Sequence, residues 1–405
     1  MDAVDVLIAL LVAVAAFALW LVSTAMLIWG ERRIVAKMQT RIGPNRIGPF
    51  GLLQTVADGA KLFFKEDIRP RNVDPPVYYA APAVSALVAL LMFAVIPFGG
   101  SFEVAGREVT LQVWDPGIGL LWVFAMSSVG VYGIFLAGWA SGSKYPLLGG
   151  VRSSAQMVSY ELGMSLAFAA VFVYVGSLRV SDIVAAQQDM LLGPIPAWHV
   201  IPMLPAFVIF FLVSAAETQR PPFDLPEAEG ELVGGFQTEY SGAKFAMFYL
   251  AEFMNVITFS AVIVTMFFGG PSGPLFGLEG TLPGALLGTV YFALKVFVFV
   301  FIFIWMRGSL PRFRYDRLMD LGWKVLLPLG LLWVMASGFA VVLRETADQA
   351  TVIRVALVGG AVAVALFLIA PLFGRRSSGD GDLPERRSGT ETDTDADEPV
   401  GTPET

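Results

Sequence analysis

The chain has 405 residues, 56% of them hydrophobic and 15% charged, with no cysteine and a single histidine, His199. A soluble domain carries roughly 25% charged residues, so this chain requires a bilayer as its solvent. The missing cysteines exclude iron–sulfur clusters, thiolate metal sites and disulfides, no metal site is expected, and no G-x-G-x-x-G or G-x-x-x-x-G-K-[ST] string offers a nucleotide site. The net charge of −7 belongs mostly to the tail, since residues 375–405 hold nine acids against four arginines. Any electron-carrying cofactor must therefore sit on a partner.

Apolar runs occur at 4–30, 78–98, 118–140, 155–176, 199–216, 244–268, 283–306, 322–343 and 352–373. Each approaches the ~20 residues that cross ~30 Å of hydrocarbon. The expected fold is an all-α polytopic membrane protein of about nine transmembrane helices. The fifth run is the shortest and carries Pro202 and Pro205 near its start. The first is not read as a signal peptide, having no basic n-region and too long an apolar stretch. Of the lysines and arginines other than Lys295, 22 fall on one side of the predicted topology and four on the other (Arg107, Arg179, Arg344 and Arg354). The positive-inside rule then places the N-terminus outside and the C-terminus in the cytoplasm. Residues 1–374 read as a membrane domain. Residues 375–405, rich in Ser, Thr, Gly, Pro and acids, read as a disordered acidic cytoplasmic tail.

Two loops depart from the usual short connections. In the first, Gln54, Asp58, Lys61 and Lys65 recur at i, i+4, i+7 and i+11, with Leu52, Leu53, Val56, Ala60, Phe63 and Phe64 on the complementary arc. This predicts an amphipathic helix lying in the membrane interface, and a simple surface anchor fits the pattern too. Ahead of it, Arg41-Ile-Gly-Pro-Asn-Arg46-Ile-Gly-Pro holds two arginines in Gly-Pro turns. On charge alone, lipid-phosphate contact accounts for them.

The second loop, from Glu217 to Glu239, holds six carboxylates (Glu217, Asp224, Glu227, Glu229, Glu231 and Glu239) and one base, Arg220. Like charges so close disfavour simultaneous ionisation. Such a group can store and pass protons, although a solvated acidic loop has the same composition. Three ionisable groups lie well inside apolar runs, away from their ends: Glu161, about 10 Å into the fourth at 1.5 Å per residue, Glu252 in the sixth and Lys295 in the seventh. An intramembrane charge costs at least ~2.5–3.5 kcal/mol, so these three are functional candidates. A structural pair such as Glu252–Lys295 is the plain alternative. His199, at a helix end, is expected to cap or pack.

Two strings carry a resemblance: Gly51-Leu-Leu-Gln-Thr-Val-Ala-Asp-Gly-Ala-Lys-Leu-Phe-Phe-Lys-Glu66 and Pro222-Phe-Asp-Leu-Pro-Glu-Ala-Glu-Gly-Glu-Leu-Val-Gly-Gly235. Supporting strings are Glu31-Arg-Arg, Arg41-Ile-Gly-Pro-Asn-Arg, Ser159-Tyr-Glu-Leu, Ala251-Glu-Phe and Pro311-Arg-Phe-Arg-Tyr-Asp. Together they resemble a membrane-subunit family of respiratory complex I, comprising the H subunit of bacterial NADH–quinone oxidoreductase and its mitochondrial counterpart, subunit 1. The resemblance implies a multi-pass subunit of a bacterial plasma (inner) membrane, with no redox centre of its own, in a proton-translocating NADH:quinone oxidoreductase. It implies a quinone, menaquinone or ubiquinone, as substrate, and FMN and Fe–S clusters on partner subunits. The implied partners are peripheral-arm subunits, small membrane subunits and antiporter-like subunits.

In that family the first helix, the sixth helix and the interfacial helix frame a lateral quinone entry. The resemblance puts Arg32, Arg41, Arg46 and Asp58 along this channel or its docking surface. It puts Glu161, Glu217, Asp224, Glu227, Glu229, Glu231 and Glu252 on an acidic proton path, to which the buried Lys295 is added. The ninth run, 352–373, departs from the common eight-helix form. Two rival readings are a homologous membrane subunit of a hydrogenase-type complex and an independent proton-coupled transporter. The intact 31–66 segment argues against the first, and the absence of internal repeats against the second.

Overall fold

Helix α1, Ala3–Met38, is 36 residues long, about 54 Å at 1.5 Å per residue. It therefore outruns a ~30 Å hydrocarbon layer and carries its charged end, Glu31-Arg32-Arg33, beyond the apolar stretch. In the computed structural model the described residues are 3–346 apart from 105, 189, 193–194, 226–228, 276 and 279. The chain divides into two compact units, Met1–Val342 and Leu343–Thr405, the second described over its first four residues. The ninth apolar run and the tail 375–405 lie outside the described residues.

After α1 come α2 (Gln54–Phe64), α3 (Pro75–Phe93), the hairpin strands β1 (Ser101–Val104) and β2 (Arg107–Thr110), α4 (Gly119–Ala140) and α5 (Lys144–Val175). Then follow α6 (Val180–Ala185), strands β3 (Met190–Leu192) and β4 (Ile195–Pro196), α7 (Leu204–Glu217) and the short α8 (Glu229–Leu232). The series ends with α9 (Gly242–Phe267), α10 (Leu282–Ser309), α11 (Tyr315–Asp320), a π-helical turn (Leu321–Leu326) and α12 (Leu327–Thr346). Among the described residues, seven helices are long and apolar enough to span a membrane, and α7 is a shorter apolar helix. This is an all-α polytopic membrane fold. The two small antiparallel hairpins sit in the connections, where Asp5 accepts from Arg107 and ties the start of α1 to β2.

The amphipathic helix forms as the spacing predicts. Gln54 and Asp58 face α1, while Phe63 and Phe64 are exposed. Three apolar runs resolve differently. The fifth is helical only from Leu204, because Pro205 lacks an N–H and is best tolerated in the first helical turn. The fourth extends back to Lys144, so α5 carries a polar N-terminal third that the hydropathy pattern leaves out. The eighth belongs to a longer helical span, Tyr315–Arg344, that starts earlier with α11 and passes through the π turn into α12, with Tyr160 Oη donating to Leu318 O at 2.9 Å just ahead of that turn.

Helix α9 is the centre of the bundle, packed against α1, α3, α7 and α10, and every residue from Val256 to Phe267 is buried. A helix apolar on all sides belongs inside a bundle. By contrast, α1 exposes Val6, Leu7, Leu10 and Leu11 on its outward side. Close approach of α5 to its neighbours depends on glycine, as membrane helices often do. A Cβ at Gly149 would lie 2.8 Å from the backbone of Gly235 and Phe236. Gly149→Val is expected to cost at least the ~1–3 kcal/mol of an overpacked site and to lower the amount of assembled protein in membranes. Wild-type abundance by immunoblot would show that α5 and the 235–236 backbone are not in contact.

Candidate functional site

Successive helical residues turn by about 100°, so the three consecutive charges Glu31, Arg32 and Arg33 near the end of α1 face three different structures. Arg32 donates to Asp58 on α2, and Gln54 Nε2 donates to the other Asp58 oxygen at 2.9 Å. Both charged side chains remain partly exposed, at 42% and 32%. Arg33 Nη1 donates to Phe50 O at 2.9 Å, and Trp29 Nε1 reaches the same carbonyl at 3.1 Å. These bonds hold Phe50 in the left-handed region at φ 54, with its ring outward. Of the four residues expected along the channel, Arg32 and Asp58 therefore meet. Arg41 and Arg46 stand exposed on the connecting loop, Arg41 donating to Gln39 at 2.7 Å.

Glu31 faces inward. It accepts from Arg220, in the loop after α7, and from Arg307 near the end of α10. Arg220 is 3% exposed, lies 3.2 Å from Glu252 on α9, and stacks its guanidinium over Phe253 at 4.2 Å. Two arginines and two glutamates thus neutralise each other where four segments meet. Arginine suits this position because its planar fork serves two carboxylates at once. Sequence spacing does not single out Glu31, Arg220 or Arg307 as site residues. The available signal is Arg220 itself, a lone base among six acids.

A cavity of about 50 Å³ opens beside this cluster, lined by Glu252, Glu217, Gln219, Ser85, Ser127 and Asn255 among others. About 10–15 Å³ of such space admits one water, so a few fit. Glu217 Oε2, Ser85 Oγ and Asn255 Oδ1 are buried there with no protein partner among the described residues. Buried polar atoms need hydrogen bonds, and water in this space would provide them. Glu217 is buried, and its other oxygen accepts from Ser127 on α4 at 2.8 Å. Glu161, on α5, accepts from the adjacent Ser128. The first part of the acidic loop is held by Gln156, whose amide donates at 2.9 Å to Ala216 O and to Phe223 O.

Two of the remaining loop acids are paired separately. Asp224 takes Arg312 at 3.0 Å, and Glu231 takes Arg152 of the α5 extension at 2.7 Å while staying exposed. The crowding expected from sequence spacing is thus relieved at these two positions by arginines from other segments. Glu229 lies in α8, and Glu227 lies outside the described residues. Beyond the loop, Lys244 pairs with Asp67 at 2.5 Å and sits over the rings of Tyr78 and Tyr79. Nearby, burial pushes the Tyr240 hydroxyl above the ordinary phenol range.

Lys295 is not joined to the carboxylates. Its ammonium donates to the carbonyls of Phe268, Gly270 and Ser272 at 2.8, 3.0 and 2.8 Å. That is a cation at the C-terminal end of α9, complementing its dipole. Glu252 lies 15 residues before Phe267, about 22 Å along the helix, and pairs with Arg220 instead. The alternative Glu252–Lys295 pair does not form. His199 is buried, with Nδ1 3.2 Å from Met266 O and its ring edge-on to Tyr174, so it packs as expected.

The family model described as NADH dehydrogenase matches residues 10–338. The proteins named as the H subunit of NADH-quinone oxidoreductase in Frankia casuarinae and Frankia alni are 50% and 48% identical to this chain over 364 residues, covering 90% of it and 78% of each relative. The protein of that name from Streptomyces avermitilis is 46% identical over 374 residues, 90% of this chain and 80% of its own length. With this fold and this degree of identity, the chain belongs to the NADH dehydrogenase family, as a multi-pass membrane member of the group of NADH-quinone oxidoreductase H subunits.

Proposed function

We propose that this subunit forms the quinone-access channel of a proton-translocating NADH:quinone oxidoreductase and couples quinone reduction to proton movement through its buried carboxylates. The observation that carries the reading is the adjacency of Arg32 and Glu31. Arg32 meets Asp58 where α1 faces the interfacial helix. Glu31 meets Arg220, which lies against Glu252 at the edge of the polar cavity. A charge or a displacement arising on the channel side therefore reaches the acids through one turn of α1. The carboxylates on the path are Glu161, Glu217 and Glu252, with Asp224, Glu227, Glu229 and Glu231 at its loop side. Lys295 has a structural role at the end of α9.

The substrate is a membrane quinone, menaquinone or ubiquinone. Electrons arrive from FMN and Fe–S clusters on peripheral-arm subunits, and antiporter-like subunits extend the membrane arm. The N-terminus faces outward from a bacterial plasma membrane and the basic loops face the cytoplasm. Field changes at the buried carboxylates act at long range because the surrounding dielectric is low.

Purification in mild detergent through a tag on this chain tests the assignment. The expected product carries flavin and Fe–S clusters that NADH reduces and that pass electrons to a quinone. A chain recovered alone, or with partners that NADH does not reduce, would overturn it in favour of a transporter or a hydrogenase-type complex.

A further inference from the structure

Serines inside these helices mostly donate to the carbonyl four residues back, as Ser141, Ser154, Ser159 and Ser260 do. That is the ordinary way a helix satisfies a buried hydroxyl. The pair Ser127-Ser128 on α4 departs from it. Ser127 gives its proton to Glu217. Ser128 has two acceptors within reach, Phe124 O on its own helix at 3.1 Å and Glu161 Oε1 on α5. A hydroxyl owns one proton and two lone pairs, so only one of these acceptors can receive it at a time. Both carboxylates are thereby attached to consecutive residues of one helix, and Glu217 keeps its second oxygen on the cavity.

We infer that Ser128 is a positioning residue whose rotating hydroxyl serves both protonation states of Glu161, while Ser127 fixes the neighbouring Glu217. This rests on the proton-path reading above. When Glu161 is ionised, Ser128 donates to it. When Glu161 carries a proton, its O–H donates to Ser128 Oγ and the serine proton turns to Phe124 O. No bond to the serine is made or broken, and the proton on Glu161 enters and leaves elsewhere. In both states Ser128 Oγ and Glu161 Oε1 stay hydrogen-bonded to each other, so protonation and release avoid the penalty that a fixed donor would impose on one of them.

The test uses the complete complex in membranes. Ser128→Ala is expected to assemble normally and to lower the rate of NADH-driven proton pumping roughly five-fold, the rate equivalent of one lost hydrogen bond. Ser128→Thr, which keeps the hydroxyl, restores most of it. In infrared difference spectra the protonated-carboxyl band that disappears in Glu161→Gln moves to higher frequency in Ser128→Ala and stays in place in Ser128→Thr. Wild-type pumping and an unmoved band in Ser128→Ala, with pumping lost in Glu161→Gln, overturn the role of Ser128 and leave the proton path standing. Unchanged pumping in Glu161→Gln overturns both. Should the alanine variant not assemble, Ser128→Cys, near in size but a weak donor, must pump more slowly than wild type and Ser128→Thr. Equality with wild type sinks the inference.

Discussion

Replacing Arg220 by glutamine is expected to prevent stable assembly of the subunit. The substitution leaves Glu252 without its cation and Glu31 with Arg307 alone, in a site where Arg220 is 3% and Glu31 5% exposed. Removing one partner from a buried ion cluster costs about 3–5 kcal/mol because the charge left behind cannot regain water. Most proteins have only ~5–15 kcal/mol of stability in total. Arg220→Lys should recover part of the loss. It restores the charge but not the fork that reaches Glu31 and Glu252 together. The double variant Arg220→Gln with Glu252→Gln should exceed Arg220→Gln alone, since the stranded charge is then gone. The measurement is the amount of intact complex resolved from solubilised membranes on a native gel. If Arg220→Gln assembles and turns over like wild type, the cluster is not a junction between the channel side and the acids.

The second large effect concerns Glu217. Glu217→Gln keeps the shape of the side chain and an oxygen to accept from Ser127, so the complex should assemble. It removes the titratable position of a group that reaches the cavity. Loss of a proton-transfer group ordinarily costs about 10²-fold or more in rate, and coupled quinone reduction and proton pumping are expected to fall together by that order. Inverted membrane vesicles report both, through NADH absorbance and a pH-sensitive dye. Glu217→Asp, which keeps the carboxyl but draws it back from Ser127, should retain a fraction of the activity. A Glu217→Gln complex that pumps at the wild-type ratio and rate would remove Glu217 from the path. The same deletion at exposed Glu231, paired with Arg152 at 2.7 Å, should have a far smaller effect, because surface ion pairs are worth ~0–1 kcal/mol.

How far each part of the molecule could be read in advance depends on how local its cause is. The amphipathic helix α2 was legible because Gln54, Asp58 and Lys61 share a face within one short segment. The spanning helices were legible because hydrocarbon demands internally satisfied backbone over some 20 residues. The boundaries were less so. Pro205 moved the start of α7 inward. The polar first third of α5 is helical because it packs on the 235–236 backbone, a contact that hydropathy does not encode.

By itself the sequence determined that the chain is a polytopic membrane protein, that it holds no cysteine for a cluster, and that its intramembrane Glu161, Glu252 and Lys295 need an explanation. The tertiary structure alone decided what the charged groups meet. Glu31 finds Arg220 and Arg307 across 189 and 276 residues of chain. Lys295 turns to three carbonyls instead of an acid, and two neighbouring serines on α4 each receive a carboxylate from a different helix. The physical reason is the same in each case. A charge in a low-dielectric interior must be satisfied by whatever donor or acceptor packing brings within about 3 Å, and packing joins residues without regard to their distance along the chain.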